Sequence, residues 1–116
     1  MHFKLIIALT EDSITDKIVD AARTRGATGS TVIASARGEG LEATKSFLGL
    51  NLETQRDVVL LLVEEHMSRE ILETIEETGA FDGNPGTGIA FSIDVEDAVG
   101  VSSQVRQLTE RVEEEI

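Results

Sequence analysis

Apolar residues along this chain fall into short continuous runs, separated by stretches in which they recur every three or four positions. Lys4 to Leu9 (KLIIAL) is the first run; turn and acidic residues follow it, which predicts a buried strand. Thr10 stands where a helix cap belongs, with Glu11 and Asp12 in the electropositive first turn. Ile14, Ile18, Val19 and Ala22 then recur at helical spacing, and Gly26 is expected to stop that helix. Thr31 to Ala36 (TVIASA) reads as a second strand. Asp57 to Val63 (DVVLLLV) is apolar on both faces and predicts a central strand.

Ser68 is placed to cap a second helix, with Met67 and Leu72 as its hydrophobic staple. Ile71, Leu72 and Ile75 give that helix its buried stripe, and Gly79 sits where a left-handed C-terminal cap is expected. Ile89 to Ile93 (IAFSI) reads as a fourth strand. Val101, Val105, Leu108 and Val112 predict a helical tail over about 102–116. Its last residues, Glu113-Glu114-Glu115, bring negative charge to a helix C-terminus and are expected to fray.

Residues 37–56 do not follow either pattern. The stretch opens with Gly38 and Gly40 and mixes polar residues with Phe47, Leu48, Leu50 and Leu52. It predicts a long loop with a short helical turn around Glu42 to Phe47. A loop of this length in a compact domain is usually functional or disordered. The order is therefore β-α-β, long loop, β-α-β, tail helix. Two right-handed crossovers on one antiparallel sheet make a ferredoxin-like α+β sandwich. A sheet of this kind in a small chain leaves an apolar face and open edges, which self-association covers.

Composition narrows the function more than the fold. At 116 residues and 41% hydrophobic content, one domain spanning 1–116 is expected. The core must be Ile, Leu, Val and Ala, because the aromatics are four Phe with no Trp or Tyr. A formal net charge of −12 excludes the basic footprint that nucleic acid needs and disfavours an anionic membrane surface. Cysteine is absent, which removes disulfide and thiol chemistry. The apolar run after Met1-His2-Phe3-Lys4 is too short for a signal peptide or a membrane span, so a cytoplasmic protein is expected.

Catalysis is not indicated. The histidines are His2 and His66, with no cysteine to pair with them. Glu64-Glu65-His66 could approach one cation, but a solvated strand-to-helix turn accounts for it, and no zinc-site spacing is present. The neighbouring pairs Glu64-Glu65 and Glu76-Glu77 point to different faces, which argues against a shared-proton dyad. The glycines carry more. Gly26-Ala27-Thr28-Gly29-Ser30-Thr31-Val32 and Gly83-Asn84-Pro85-Gly86-Thr87-Gly88 each lie against a strand, at equivalent places in two similar halves. Neither ends in the Gly-Lys-Ser/Thr of a Walker A loop. Their backbone groups could cradle an anion or read a purine edge.

With Gly38-Glu39-Gly40 added, the chain resembles the PII signalling superfamily over about residues 3 to 101. The first segment matches the family's Gly-x-x-Gly-x-Thr-Val, and Gly38 and Gly40 match the glycines opening its T-loop (about 37–56 here). Gly83 to Gly88, before a strand with Phe91, is similar to its B-loop. The resemblance implies a non-enzymatic homotrimer of ferredoxin-like protomers. It implies an adenine nucleotide (ATP, ADP, AMP or cyclic AMP) bound in clefts between subunits, and a T-loop that docks onto a partner such as a membrane transporter. Carried over by position, Gly29 and Thr31 would meet the base, and Gly38 and Gly40 would form the T-loop root beside Arg37. Gly86, Thr87 and Gly88 would meet the phosphates.

The departures are equally specific. The family's B-loop Asp and Lys are Thr87 and Ile89 here, and its two arginines after the last strand fall on Gly100 and Ser102. Arg37, Lys45, Arg56 and Arg106 are the cations left to substitute. The absence of Tyr excludes uridylylation. Two other readings stay open: a nucleotide-independent trimeric adaptor, and a metal-tolerance protein of similar fold using His66 and nearby carboxylates.

Overall fold

The structure is a computed structural model describing residues 1–36, 46–47, 50–51 and 56–115. Strand β1 is Phe3–Glu11, followed by one 3-10 turn (Asp12–Ile14) and helix α1 (Thr15–Thr24). Strand β2 is Thr31–Ala36, and two two-residue strands, β3 (Ser46–Phe47) and β4 (Leu50–Asn51), form a small antiparallel ladder of their own. The second half is β5 (Arg56–Glu64), α2 (Glu65–Gly79), β6 (Gly88–Val95) and α3 (Ser102–Glu115). The main sheet has the order β2-β5-β1-β6, with every neighbouring pair antiparallel. This is the ferredoxin-like α+β arrangement that the element order predicts.

The alternation along the central strands divides the sheet into two unlike faces. Ile6 and Ala8 of β1 and Val59, Leu61 and Val63 of β5 are essentially fully buried. They lie under Ile18 and Ala22 of α1 and Met67, Ile71 and Ile75 of α2, which form one cluster with them. The intervening residues Leu5, Ile7, Leu9, Val58, Leu60 and Leu62 are only half-buried. They continue at the edges into Ile33 (50% exposed) and Phe91 and Ile93 (36% and 47%). One face is thus a packed core, and among the described residues the other is a half-buried apolar surface. Val101, just before α3, and Val105 on it pack against the cluster.

Several boundaries differ from expectation, each for a packing reason. Thr10 does not cap a helix: β1 runs on to Glu11, and α1 begins at Thr15 after the 3-10 turn, with no side-chain cap. Thr10 is instead fully buried, and its hydroxyl has no hydrogen-bond partner among the described residues. The expected stop is in place: α1 ends at Thr24, and Gly26 turns the chain at φ 118°, a value that favours glycine. Ser68 does not cap α2. The cap is Glu64, whose carboxylate accepts the His66 amide at 2.9 Å, while Ser68 is buried within the helix.

Gly79 is the last helical residue, and Ala80 takes the left-handed cap at φ 51°. The glycine serves packing instead, since a Cβ on it would lie 2.2 Å from the Phe81 ring. Of the helical turn expected around Glu42 to Phe47, the described part, Ser46–Phe47, is extended and paired; Glu42 to Lys45 lie outside the described residues. Helix α3 spans Ser102–Glu115 and so includes Glu113 to Glu115.

Candidate functional site

The loop between α2 and β6 is built from its own short hydrogen bonds. The Ala80 carbonyl accepts both the amide and the side-chain nitrogen of Asn84, at 3.0 and 3.1 Å. The Asn84 carbonyl in turn accepts the Thr87 amide at 3.2 Å and the Thr87 hydroxyl at 2.7 Å. Between them Gly86 sits at φ 86°, which closes the turn. Gly88 then enters β6 opposite Thr10. A Cβ on Gly88 would lie 2.3 Å from the Phe81 ring, so the loop's exit is packed onto the end of α2.

This loop stands at the end of the sheet where β1 finishes, β5 begins and β2 finishes, since Glu11 and Ala36 both pair with Arg56. A polar network fills that end. The Arg56 guanidinium donates to the carbonyls of Thr87 (2.6 Å) and Gly86 (2.5 Å) and lies 3.9 Å from the Glu11 carboxylate. Asp57 accepts the Thr15 hydroxyl at 2.7 Å, and that hydroxyl also lies 3.3 Å from the Glu11 carbonyl. Arg56, Asp57 and Thr15 are all buried. In the sequence, Arg56 is one of four cations without an assigned place, and Glu11, Thr15 and Asp57 carry no site signal. A charged pair opening an apolar strand is the feature that marks this end.

The first glycine segment is elsewhere. Thr31 opens β2 opposite Leu60, and Gly29 precedes it, both exposed. A Cβ on Gly29 would meet nothing within 4 Å, and its backbone is not in the left-handed region. Packing within the chain therefore does not require glycine at this position. Strands β2 and β6 are opposite edges of the sheet. Three interstrand spacings of about 4.8 Å put them roughly 14 Å apart. Gly29 and Thr31 are thus not brought together with Gly86, Thr87 and Gly88 within one protomer. Arg37, Gly38, Gly40 and Lys45 lie outside the described residues. Gly100, Ser102 and Arg106 are exposed, the last on α3.

Two other features bear on the chemistry. A cleft of about 300 Å³ lies between α2 and β6, lined by Arg69, Glu73, Glu76, Asp82, Phe81 and Ile89 among others. Its one arginine is held by Glu73 at 2.8 Å, and the carboxylates outnumber it, so the cleft does not suit a phosphate. At the other end of α2, ligand atoms of Glu64, Glu65 and His66 lie within 4.8 Å of one another. Only part of the expected solvated turn is present, because Glu64 is 2% exposed. Its carboxylate is engaged by the His66 amide and the His66 ring.

The Glu64 hydrogen bond, then its negative charge, holds the His66 imidazolium pKa above the ordinary 6.5, with a smaller contribution from Glu65. Any stabilisation from this pair is fully present below about pH 6.5 and disappears as pH rises through the raised folded value. We expect the melting-temperature difference between wild type and His66→Gln to shrink across that window. The His66 ring should titrate above 6.5 by NMR; titration at or below 6.5 would contradict the pairing.

The family model for nitrogen regulatory protein P-II matches residues 3–105. No curated protein sequence matches the chain. Among solved structures, the chain is similar to a PII-like signalling protein from Thermus thermophilus, at 23% identity and TM-score 0.60, covering 82% of this chain and 88% of that one. It is also similar to the apo form of CPII, a nitrogen regulatory PII-like protein from Thiomonas intermedia, at 17% identity and TM-score 0.63 (82% and 90% covered). CPII bound to ADP, AMP and acetate matches at 18% identity and TM-score 0.59 (83% and 90% covered). At these identities the neighbours establish the fold. The family match spans most of the chain, and with the strand order and the two glycine segments it identifies the chain as a member of the nitrogen regulatory protein P-II family.

Proposed function

We propose that the protein is a non-enzymatic homotrimeric sensor that binds an adenine nucleotide between subunits. It signals to a partner protein, with a membrane transporter as the leading candidate, through residues 37–56. The observation that carries this reading is the placement of the two glycine segments on opposite edges of one sheet. A site needing both is completed only when a second copy brings its Gly29 and Thr31 to the first copy's Gly86 to Gly88. The half-buried apolar face supplies a reason for copies to associate. No helix among the described residues is long and apolar enough to cross a membrane.

The residues present fit the neutral parts of a nucleotide better than a triphosphate. Gly29, with open space where a Cβ would stand, permits close approach of a base. Gly86, Thr87 and Gly88 offer a tight turn at the phosphate end. Charge-assisted bonds from Lys or Arg supply much of phosphate binding. Here Ile89, Gly100 and Ser102 provide none, and the chain carries a net charge of −12. Ligands with fewer phosphates are therefore favoured, and CPII is known bound to ADP and AMP.

Calorimetric titration with ATP, ADP, AMP and cyclic AMP tests this. We expect saturable heat with at least one ligand, and ATP is expected not to be the tightest. Absence of heat for all four would overturn the nucleotide reading. The missing cations would then favour the adaptor reading, in which the trimer binds its partner equally well with and without nucleotide.

A further inference from the structure

Arg56 is 5% exposed, yet it is the residue through which β5 reaches the loop before β6. Its Nη1 and Nη2 bind two successive carbonyls, Thr87 and Gly86, while Glu11 lies 3.9 Å away as a counter-charge. A guanidinium presents its donors as a rigid planar fork, whereas a lysine ammonium is a point charge. Two consecutive carbonyls on one fork fix the relative orientation of two peptide planes. In a planar trans peptide the N–H points opposite to the C=O. Drawing the Gly86 and Thr87 carbonyls toward Arg56 therefore turns the Thr87 and Gly88 amides away from it, and the Thr87 amide is retained by Asn84.

From this geometry we infer that Arg56 is a positioning residue, which locks the Gly86–Gly88 turn in one shape by holding its carbonyls and does not bind a ligand phosphate. It also stands directly after residues 52–55 in the chain, so the foot of the 37–56 segment and the turn share one side chain. The clamp stands without any ligand. Its consequence for ligand binding rests on the nucleotide reading above.

Amide hydrogen exchange on the ligand-free protein tests the clamp directly. Arg56→Lys and Arg56→Gln should both speed exchange at Thr87 and Gly88 by about tenfold or more, as expected for losing a charge-assisted hydrogen bond. The amides of Ile71 and Ile75 in α2 serve as the control and should be unchanged, which separates local release from global unfolding. Wild-type exchange in Arg56→Lys would overturn the fork argument, and wild-type exchange in both variants would overturn the clamp.

Where wild type binds nucleotide, a positioning residue weakens AMP, ADP and ATP by a similar factor, in Arg56→Lys as in Arg56→Gln. A phosphate-binding cation would instead be rescued by Lys, with losses in Arg56→Gln that grow with phosphate number. That pattern would also overturn the inference. If wild type binds none of the nucleotides, the functional reading fails and the exchange result alone decides the clamp.

Discussion

Leu60→Glu is expected to convert a trimer into monomers. Leu60 lies near the middle of the half-buried apolar face, flanked by Ile7 of β1 and Thr31 of β2. Around it the face extends to Ile33, Phe91 and Ile93, all at least one-third exposed. An apolar surface this continuous marks an association site in a soluble protein. Burying an unpaired carboxylate there costs several kcal/mol; a loss of ~3–5 kcal/mol corresponds to roughly 10²- to 4 × 10³-fold weaker association.

Light scattering on a sizing column should give wild type at three times the 12.5 kDa chain mass and the variant at one. A trimeric variant would show that the face is not the interface, and a monomeric wild type would remove the assembly. Circular dichroism should be preserved, because Leu60 points away from the cluster under α1 and α2. On the proposed reading, nucleotide binding should be lost with the trimer, since the two glycine segments sit on opposite edges of one protomer.

The second large effect centres on Phe81. Its ring is 7% exposed and lies where a Cβ on either Gly79 or Gly88 would stand, 2.2 and 2.3 Å from the ring respectively. Phe81→Ala should cost about 3–5 kcal/mol in chemical denaturation, through lost burial and the cavity left behind. Gly79→Ala makes the sharper test. Helix propensity alone favours the substitution by about 1 kcal/mol, whereas forcing the buried ring aside costs about 1–3 kcal/mol. The net effect in wild type should be destabilising. With Phe81→Ala already present the clash is gone, and Gly79→Ala should be neutral or stabilising. Additive effects of the two substitutions would show that the ring does not depend on the glycine.

The substitution at Gly79 also shows where sequence reading reaches its limit. A glycine at the end of a helical stripe reads as a left-handed cap, yet Ala80 adopts that conformation and Gly79 makes room for a ring two residues on. Ser68 reads as a cap and is buried, while Glu64, the last residue of β5, caps the helix. Thr10 reads as a cap and is a core residue. In each case the local signal was a residue type suited to a task, and packing gave the task to a neighbour. Arg56 shows the same limit at the site. As a sequence feature it is one spare cation among four, and its bonds to Gly86 and Thr87, 30 and 31 residues away, depend on how the chain returns to that end of the sheet.

The sequence by itself determined the four strands of the main sheet, the three helices, their order and the family. Hydrophobic periodicity is a local property, and the period of each run states whether it buries one face as a strand or one stripe as a helix. The spacing of the glycine segments is equally local, so the resemblance they carry was legible without coordinates. Only the tertiary structure decided that those segments lie on opposite edges of the sheet, that one face of the sheet is half-buried among the described residues, and that Arg56 holds carbonyls. Those facts depend on contacts between residues far apart in the chain, which no window of neighbouring residues encodes.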